Sequence, residues 1–226
     1  SMIWPMLRTI PNDTHASLMR RFDWNPLDGI TVNNRPFDVS EEAVKNILLN
    51  GTLVVESSYQ NRLNIQRTYI PSTELPSLVE IYRITNTSDR NVSIEIPSFT
   101  SQMNTVEETG VDGSYRIELR TQNTGYYNLA SGKSISFTAT LSAYKNTEKS
   151  AVINAEDELD KRMQLVNEWT GNLVLETPDP VINQMFAFSK IRSCESIFET
   201  KGGPMHGPGG EAYYAAIWTN DQAEYI

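Results

Sequence analysis

The chain has 226 residues and a formal charge of −9, from 19 Lys+Arg against 28 Asp+Glu. Such a length can bury the core of one large domain or of one and a half, while the acidic balance offers no basic surface for a phosphate backbone and sets nucleic acid aside as a partner. No run approaches the ~20 apolar residues of a membrane-spanning helix, so no membrane partner is expected. A single cysteine, Cys194, excludes an internal disulfide, and with two histidines no Cys/His metal cluster can be assembled, so neither a metal nor a cofactor is expected. Ser1-Met2-Ile3-Trp4 lacks the basic and apolar regions of an export leader. Export to the periplasm or the exterior is the expectation if a leader has been removed.

From about Leu7 to Tyr144 the hydrophobic period is two. Thr52–Tyr59, Leu63–Ile70, Leu78–Thr85 and Val92–Ile96 alternate apolar and polar residues as half-buried strands do, and Ser114–Arg120 and Ser134–Leu141 repeat the pattern. Asn50-Gly51, Ser88-Asp89-Arg90-Asn91 and Asp112-Gly113 lie between them, residues that tolerate the positive φ of tight hairpins. Many short strands without an intervening helical period predict an antiparallel sandwich, a mainly β class.

After Asn154 the period changes. Leu159, Met163, Val166 and Trp169 follow helical spacing, and the acids of Glu156-Asp157-Glu158 sit where a helix N-terminus favours negative charge. Gly171 is expected to end that helix. Asp179-Pro180 then places a capping residue before a proline at the first helical position. The second helix is expected to run through Val181, Ile182, Met185, Phe186, Phe188, Ile191, Ile197 and Phe198, with an apolar face too wide for the edge of one sandwich. Cys194 falls inside this pattern and reads as a small apolar side chain.

The stretch from Gly202 to Gly210 is glycine-rich, but Pro208 follows Gly207 where a phosphate loop needs Lys-Ser/Thr, and proline removes an amide donor. A carbohydrate site fits the next residues better. Asp221, Asn220, Trp218, Tyr213 and Tyr214 supply carboxylate, amide and aromatic faces within nine residues. The alternative is that Tyr213, Ile217 and Trp218 form the buried face of a helix and Asp221 is solvated. Asp221 and Glu224 are three apart, on one helix face, whereas a glycosidase pair must flank the scissile bond from two sides. His206 could donate to a ligand hydroxyl or stand in solvent.

The chain resembles the six-hairpin glycosidases: the glucoamylases, the maltose- and cellobiose-type phosphorylases and the α-rhamnosidase-like enzymes. Gly51-Thr-Leu-Val-Val55, Leu63-Asn-Ile-Gln-Arg67 and Leu75–Asn86 carry the likeness to the β-super-sandwich of that group, and the Asp179–Phe198 stretch with Trp218-Thr-Asn-Asp221 carries the likeness to its (α/α)6 barrel. The resemblance implies a sandwich over residues 1–150, a helical linker over 151–178 and the beginning of a barrel over 179–226. It also implies that Asp221 and Trp218 bind substrate, with Asn220, His206, Tyr213 and Tyr214 lining the cleft. The family's catalytic carboxylates come from later barrel loops, so this stretch is expected to be an inactive N-terminal fragment of a carbohydrate-active enzyme, with an oligo- or polysaccharide and the missing barrel as partners. Inverting hydrolysis is the leading expectation, a phosphorylase its close variant, and a free-standing carbohydrate-binding or scaffolding sandwich the alternative from another class.

Overall fold

In a computed structural model, residues 2–4, 18–20, 22–109, 113–200 and 203–206 are described. The strands are β1 (Met2–Trp4), β2 (Leu18–Arg20), β3 (Thr31–Val32), β4 (Arg35–Pro36), β5 (Glu42–Leu49), β6 (Leu53–Tyr59), β7 (Leu63–Pro71), β8 (Ser77–Asn86), β9 (Val92–Ile96), β10 (Thr100–Asn104), β11 (Tyr115–Gln122), β12 (Gly125–Leu129) and β13 (Ser134–Lys145). Two helices follow, α1 (Ala155–Gly171) and α2 (Pro180–Cys194), then β14 (Ile197–Thr200) and β15 (Gly203–His206). The class is mainly β and every strand pairing is antiparallel, as the alternation predicts.

One sheet has seven strands in the order β10-β11-β13-β8-β7-β6-β5, and a smaller one has four in the order β12-β9-β3-β4. The two face each other. Ile65, Tyr82, Ile84 and Phe137 from the large sheet meet Val32, Val92, Ile94 and Ile96 from the small one in a single buried cluster, with Tyr82 and Phe137 stacked at 4.6 Å. The small sheet is too narrow to cover the whole inner face. Phe22 and Trp24 pack on the remainder, over Ile117, Leu119 and Leu141. Val79 on the opposite face packs with Ile153 and Ala155 at the start of α1, so the large sheet is covered on both sides at its centre. This is why β13 is buried continuously from Phe137 to Tyr144 instead of alternating.

Turn chemistry sets the register. Asn33-Asn34, the two-residue turn between β3 and β4, and Gln60-Asn61, in the three-residue turn between β6 and β7, carry paired positive φ values of 50° and 60°, and 49° and 52°, the handedness that matches strand twist in tight hairpins. Gly51, at φ 91°, turns β5 into β6. Strand β5 itself escaped the alternation. Its register shifts between Val44 and Asn46, which breaks the period of two.

Both predicted helix starts hold. The Asn154 side chain accepts from the Glu156 amide, and the Asp179 side chain accepts from the Val181 amide ahead of Pro180. The end of α2 differs from the expectation. The helix stops at Cys194, where the Glu195 amide closes back on the Ile191 and Ser193 carbonyls. Ile197-Phe198-Glu199-Thr200, a run rich in β-branched and aromatic residues, instead pairs with Gly203–His206. Helical spacing of apolar residues could not separate these states, because a short apolar run fits either period. Cys194 is half-buried with a free thiol, which burial pushes above its ordinary range.

Candidate functional site

Tyr213, Tyr214, Trp218, Asn220 and Asp221 lie outside the described residues. His206 ends β15, opposite Ile197 in the hairpin register. The β14–β15 hairpin thus returns the chain to the C-terminal end of α2. What surrounds that end is a junction between helices and sheet.

Helix α1 crosses the outer face of the large sheet and turns toward it Ala155, Glu158, Arg162 and Val166, one residue per turn. The apolar spacing had singled out Val166, but two of the four deepest positions are charged. The Arg162 guanidinium is 4% exposed, donates from Nε to the Gly51 carbonyl at 2.8 Å, pairs with Glu195 just beyond α2, and lies 5.4 Å over the Trp169 ring. One side chain therefore links the β5–β6 hairpin, α1 and the end of α2. Long-range partners decide this role, and no local motif announces it.

Beside this clamp runs a groove of about 690 Å³ between the tip of the β5–β6 hairpin and the two helices, lined by Leu48, Leu49, Met163, Val166, Met185 and Phe188. Its rim continues as exposed apolar surface. Val181, Ile182 and Met185 on α2 are 58%, 47% and 63% exposed, and Ile47 and Leu49 on β5 are 63% and 58% exposed. Isolated exposed apolar residues are ordinary, whereas a contiguous stretch over two elements is the signature of a contact surface.

A second polar feature crosses the inner face of the large sheet. Arg67 holds Glu42 with two parallel bonds, Nη1 to Oε1 at 2.6 Å and Nη2 to Oε2 at 2.7 Å, and the Ser57 hydroxyl donates to the same carboxylate. Burial pushes the Glu42 carboxyl up, but hydrogen bonds from Arg67 and Ser57 and the charge of Arg67 prevail and hold it below its ordinary value. Glu80, two strands from β6, accepts from the Tyr82 hydroxyl at 2.6 Å, and burial raises its carboxyl above the ordinary value. The sequence signal for these groups was a charged residue at an inward position: Arg67 follows Leu63 and Ile65 in β7, and Glu80 precedes Tyr82 and Ile84 in β8.

Carboxyls shifted in opposite directions suggest an acid and a base. The sheet order argues against it. Strands β8 and β5 are three spacings apart, about 14 Å between backbones, against the ~6.5–9.5 Å of an inverting pair. The Glu42 and Arg67 side chains are also only 5% and 12% exposed, so the pair is sealed from a polymeric substrate. These groups are structural ion-pair and hydrogen-bond partners.

Glu80 supports a pH prediction. Its folded value lies above the unfolded one, so its contribution to stability is full below the unfolded value and is lost as pH rises through the folded value. Glu80→Gln keeps an acceptor for Tyr82 and removes the charge. The variant should therefore gain stability relative to the parent between about pH 4 and about pH 7, read as urea midpoints at both. An unchanged gap would show that the Glu80 charge does not oppose folding.

No protein-family model matches the chain, and no curated protein sequence matches it. Among the described residues no group of His, Cys, Asp or Glu is arranged to hold a metal ion.

Proposed function

We propose that the chain is the N-terminal part of an inverting glycoside hydrolase, in which the sandwich and α1 support the first helices of a helical catalytic barrel. The observation that carries this reading is the contiguous apolar surface of α2 and the β5–β6 hairpin, with its groove between α1 and α2. Further helices of the same polypeptide are its occupant. The β14–β15 hairpin, which follows directly on α2, brings His206 back beside Ile197 near this surface. In this reading Asp221 and Asn220 hold sugar hydroxyls, Trp218 stacks on a sugar ring, and Tyr213, Tyr214 and His206 line the cleft. The general acid and base come from later segments of the barrel.

The test is cleavage by the polypeptide that the native gene encodes, assayed on a panel of oligosaccharides with the product anomer followed by NMR. Inversion at the anomeric carbon is expected, with Asp221→Ala lowering kcat/KM at least about tenfold, equivalent to about 1.4 kcal/mol. Cleavage that requires phosphate would replace hydrolase by phosphorylase. Cleavage of no oligosaccharide, or full activity in Asp221→Ala, would overturn the assignment.

A further inference from the structure

The end of the sandwich opposite the α1–α2 groove carries a cleft with different chemistry. Strand β6 runs from the Gly51 hairpin to the Gln60-Asn61 turn, so its seven residues separate the two features by about 23 Å. Three turns converge there: Asn33-Asn34 between β3 and β4, Gln60–Arg62 between β6 and β7, and Thr87–Asn91 between β8 and β9. They enclose about 560 Å³, lined by Asn33, Arg62, Ser88, Asp89, Arg90 and Asn91, with Val92 as the apolar contribution.

The walls are held from behind. Asn86 is fully buried; its Nδ2 donates to the carbonyls of Arg90 at 2.7 Å and Leu129 at 2.8 Å, and its Oδ1 accepts from the Ser88 amide at 3.0 Å and hydroxyl at 2.7 Å. The Thr87 amide and hydroxyl both donate to the Arg62 carbonyl, at 2.8 and 2.9 Å, which ties the two turns together. Asn33 Oδ1 accepts from the Ser93 amide at 3.0 Å, leaving its Nδ2 unengaged among the described residues. A loop fixed by a buried asparagine meets a ligand with little ordering cost.

The groups that face the cleft are, by contrast, unspent. Among the described residues the guanidiniums of Arg62 and Arg90, the carboxylate of Asp89 and the amide of Asn91 have no hydrogen-bond or ionic partner. Two free guanidiniums on a chain of net charge −9 are a local exception to its field. Their planar forks match a carboxylate. Asp89 in the same wall disfavours a dianion such as phosphate, and with Asn33 and Asn91 it offers both acceptors and donors to hydroxyl pairs. A volume of about 560 Å³ falls within the size range of small-ligand sites, while a lining this polar suits a hydroxylated ligand better than an apolar one.

We propose that this cleft binds the uronic-acid unit of an acidic saccharide, with Arg62 and Arg90 on the carboxylate and Asp89, Asn33 and Asn91 on the ring hydroxyls. The site is separate from the barrel surface and does not rest on the hydrolase reading.

The experiment is an NMR titration of the chain with glucuronate, with glucose (the same ring without the carboxylate) and with inorganic phosphate. Glucuronate is expected to shift the amides of Asn33 and Ser88–Asn91 in a saturable way, and glucose is expected not to. Arg62→Ala and Arg90→Ala should each raise Kd at least about fivefold, and added salt should weaken binding. Both arginines are exposed, so the variants should keep the parent melting temperature, and a matched melt separates lost binding from lost fold. Three results would overturn the proposal: no saturable shift with glucuronate, phosphate binding as tightly as glucuronate, or unchanged affinity in both arginine variants. Because the readout is binding at these turns and the hydrolase reading is judged by bond cleavage, each can fail alone.

Discussion

Gly51→Ala should destabilise the fold by about 3 kcal/mol, with a fall in melting temperature on the order of 10 °C. Two causes add. The residue sits at φ 91°, which strains any side chain, at a cost of about 1 kcal/mol or more. A Cβ there would also lie 2.5 and 2.8 Å from the two Cγ atoms of Val166, whose backbone belongs to α1 and cannot retreat without lifting the helix off the sheet. Overpacking of this kind costs about 1–3 kcal/mol. The steric part is separable. In a Val166→Ala background those Cγ atoms are gone, so Gly51→Ala should there cost clearly less, with a coupling of at least about 1 kcal/mol in a double-mutant cycle. Guanidinium denaturation of the four proteins measures it. Equal costs in both backgrounds would mean that α1 does not close on the hairpin as described.

Arg162→Met should cost about 3 kcal/mol, from the same junction seen from the helix side. Methionine conserves most of the volume but leaves the Gly51 carbonyl without its Arg162 donor and Glu195, whose side chain is 28% exposed, without the buried half of its pairing. Arg192 lies 3.2 Å from the same carboxylate but is 68% exposed, so its compensation is screened and small. Adding Glu195→Gln to Arg162→Met should recover part of the loss, because the stranded charge is then removed. The chemical-denaturation midpoints of the single and double variants test this. If the second substitution deepens the loss instead, Glu195 is held by something other than Arg162. Both experiments probe one junction, around Gly51, Val166 and Arg162, which ties the helices to the β5–β6 hairpin in addition to the packing of Ala155 on Val79 at the start of α1. The apolar groove beside it remains exposed among the described residues.

Sequence alone determined the parts of this protein that depend on neighbours a few residues away. Alternation of apolar and polar residue types located β6 to β9, β11 and β13, because successive side chains of a strand point to opposite faces and each face repeats every two residues. Asn154 and Asp179-Pro180 marked the helix starts, because orphaned amides at a helix N-terminus are satisfied locally. Gly51 was recognisable as a turn residue from Asn50-Gly51. Only the tertiary structure decided the rest. The partition into sheets of seven and four strands follows from which faces meet, and the two-residue strands β3 and β4 are too short to carry a period. The end of α2 at Cys194 was decided by the pairing of β14 with β15, since Ile197 and Phe198 suit either state. The charged residues that hold the molecule together, Arg162 with Glu195 and Arg67 with Glu42, were invisible as pairs because their partners are 33 and 25 residues apart. Likewise, the cleft of Arg62 and Arg90 exists because antiparallel strands return three turns to one end of the sandwich. Each of these arrangements depends on where strands and helices meet in space, and residue order restricts such meetings without specifying them.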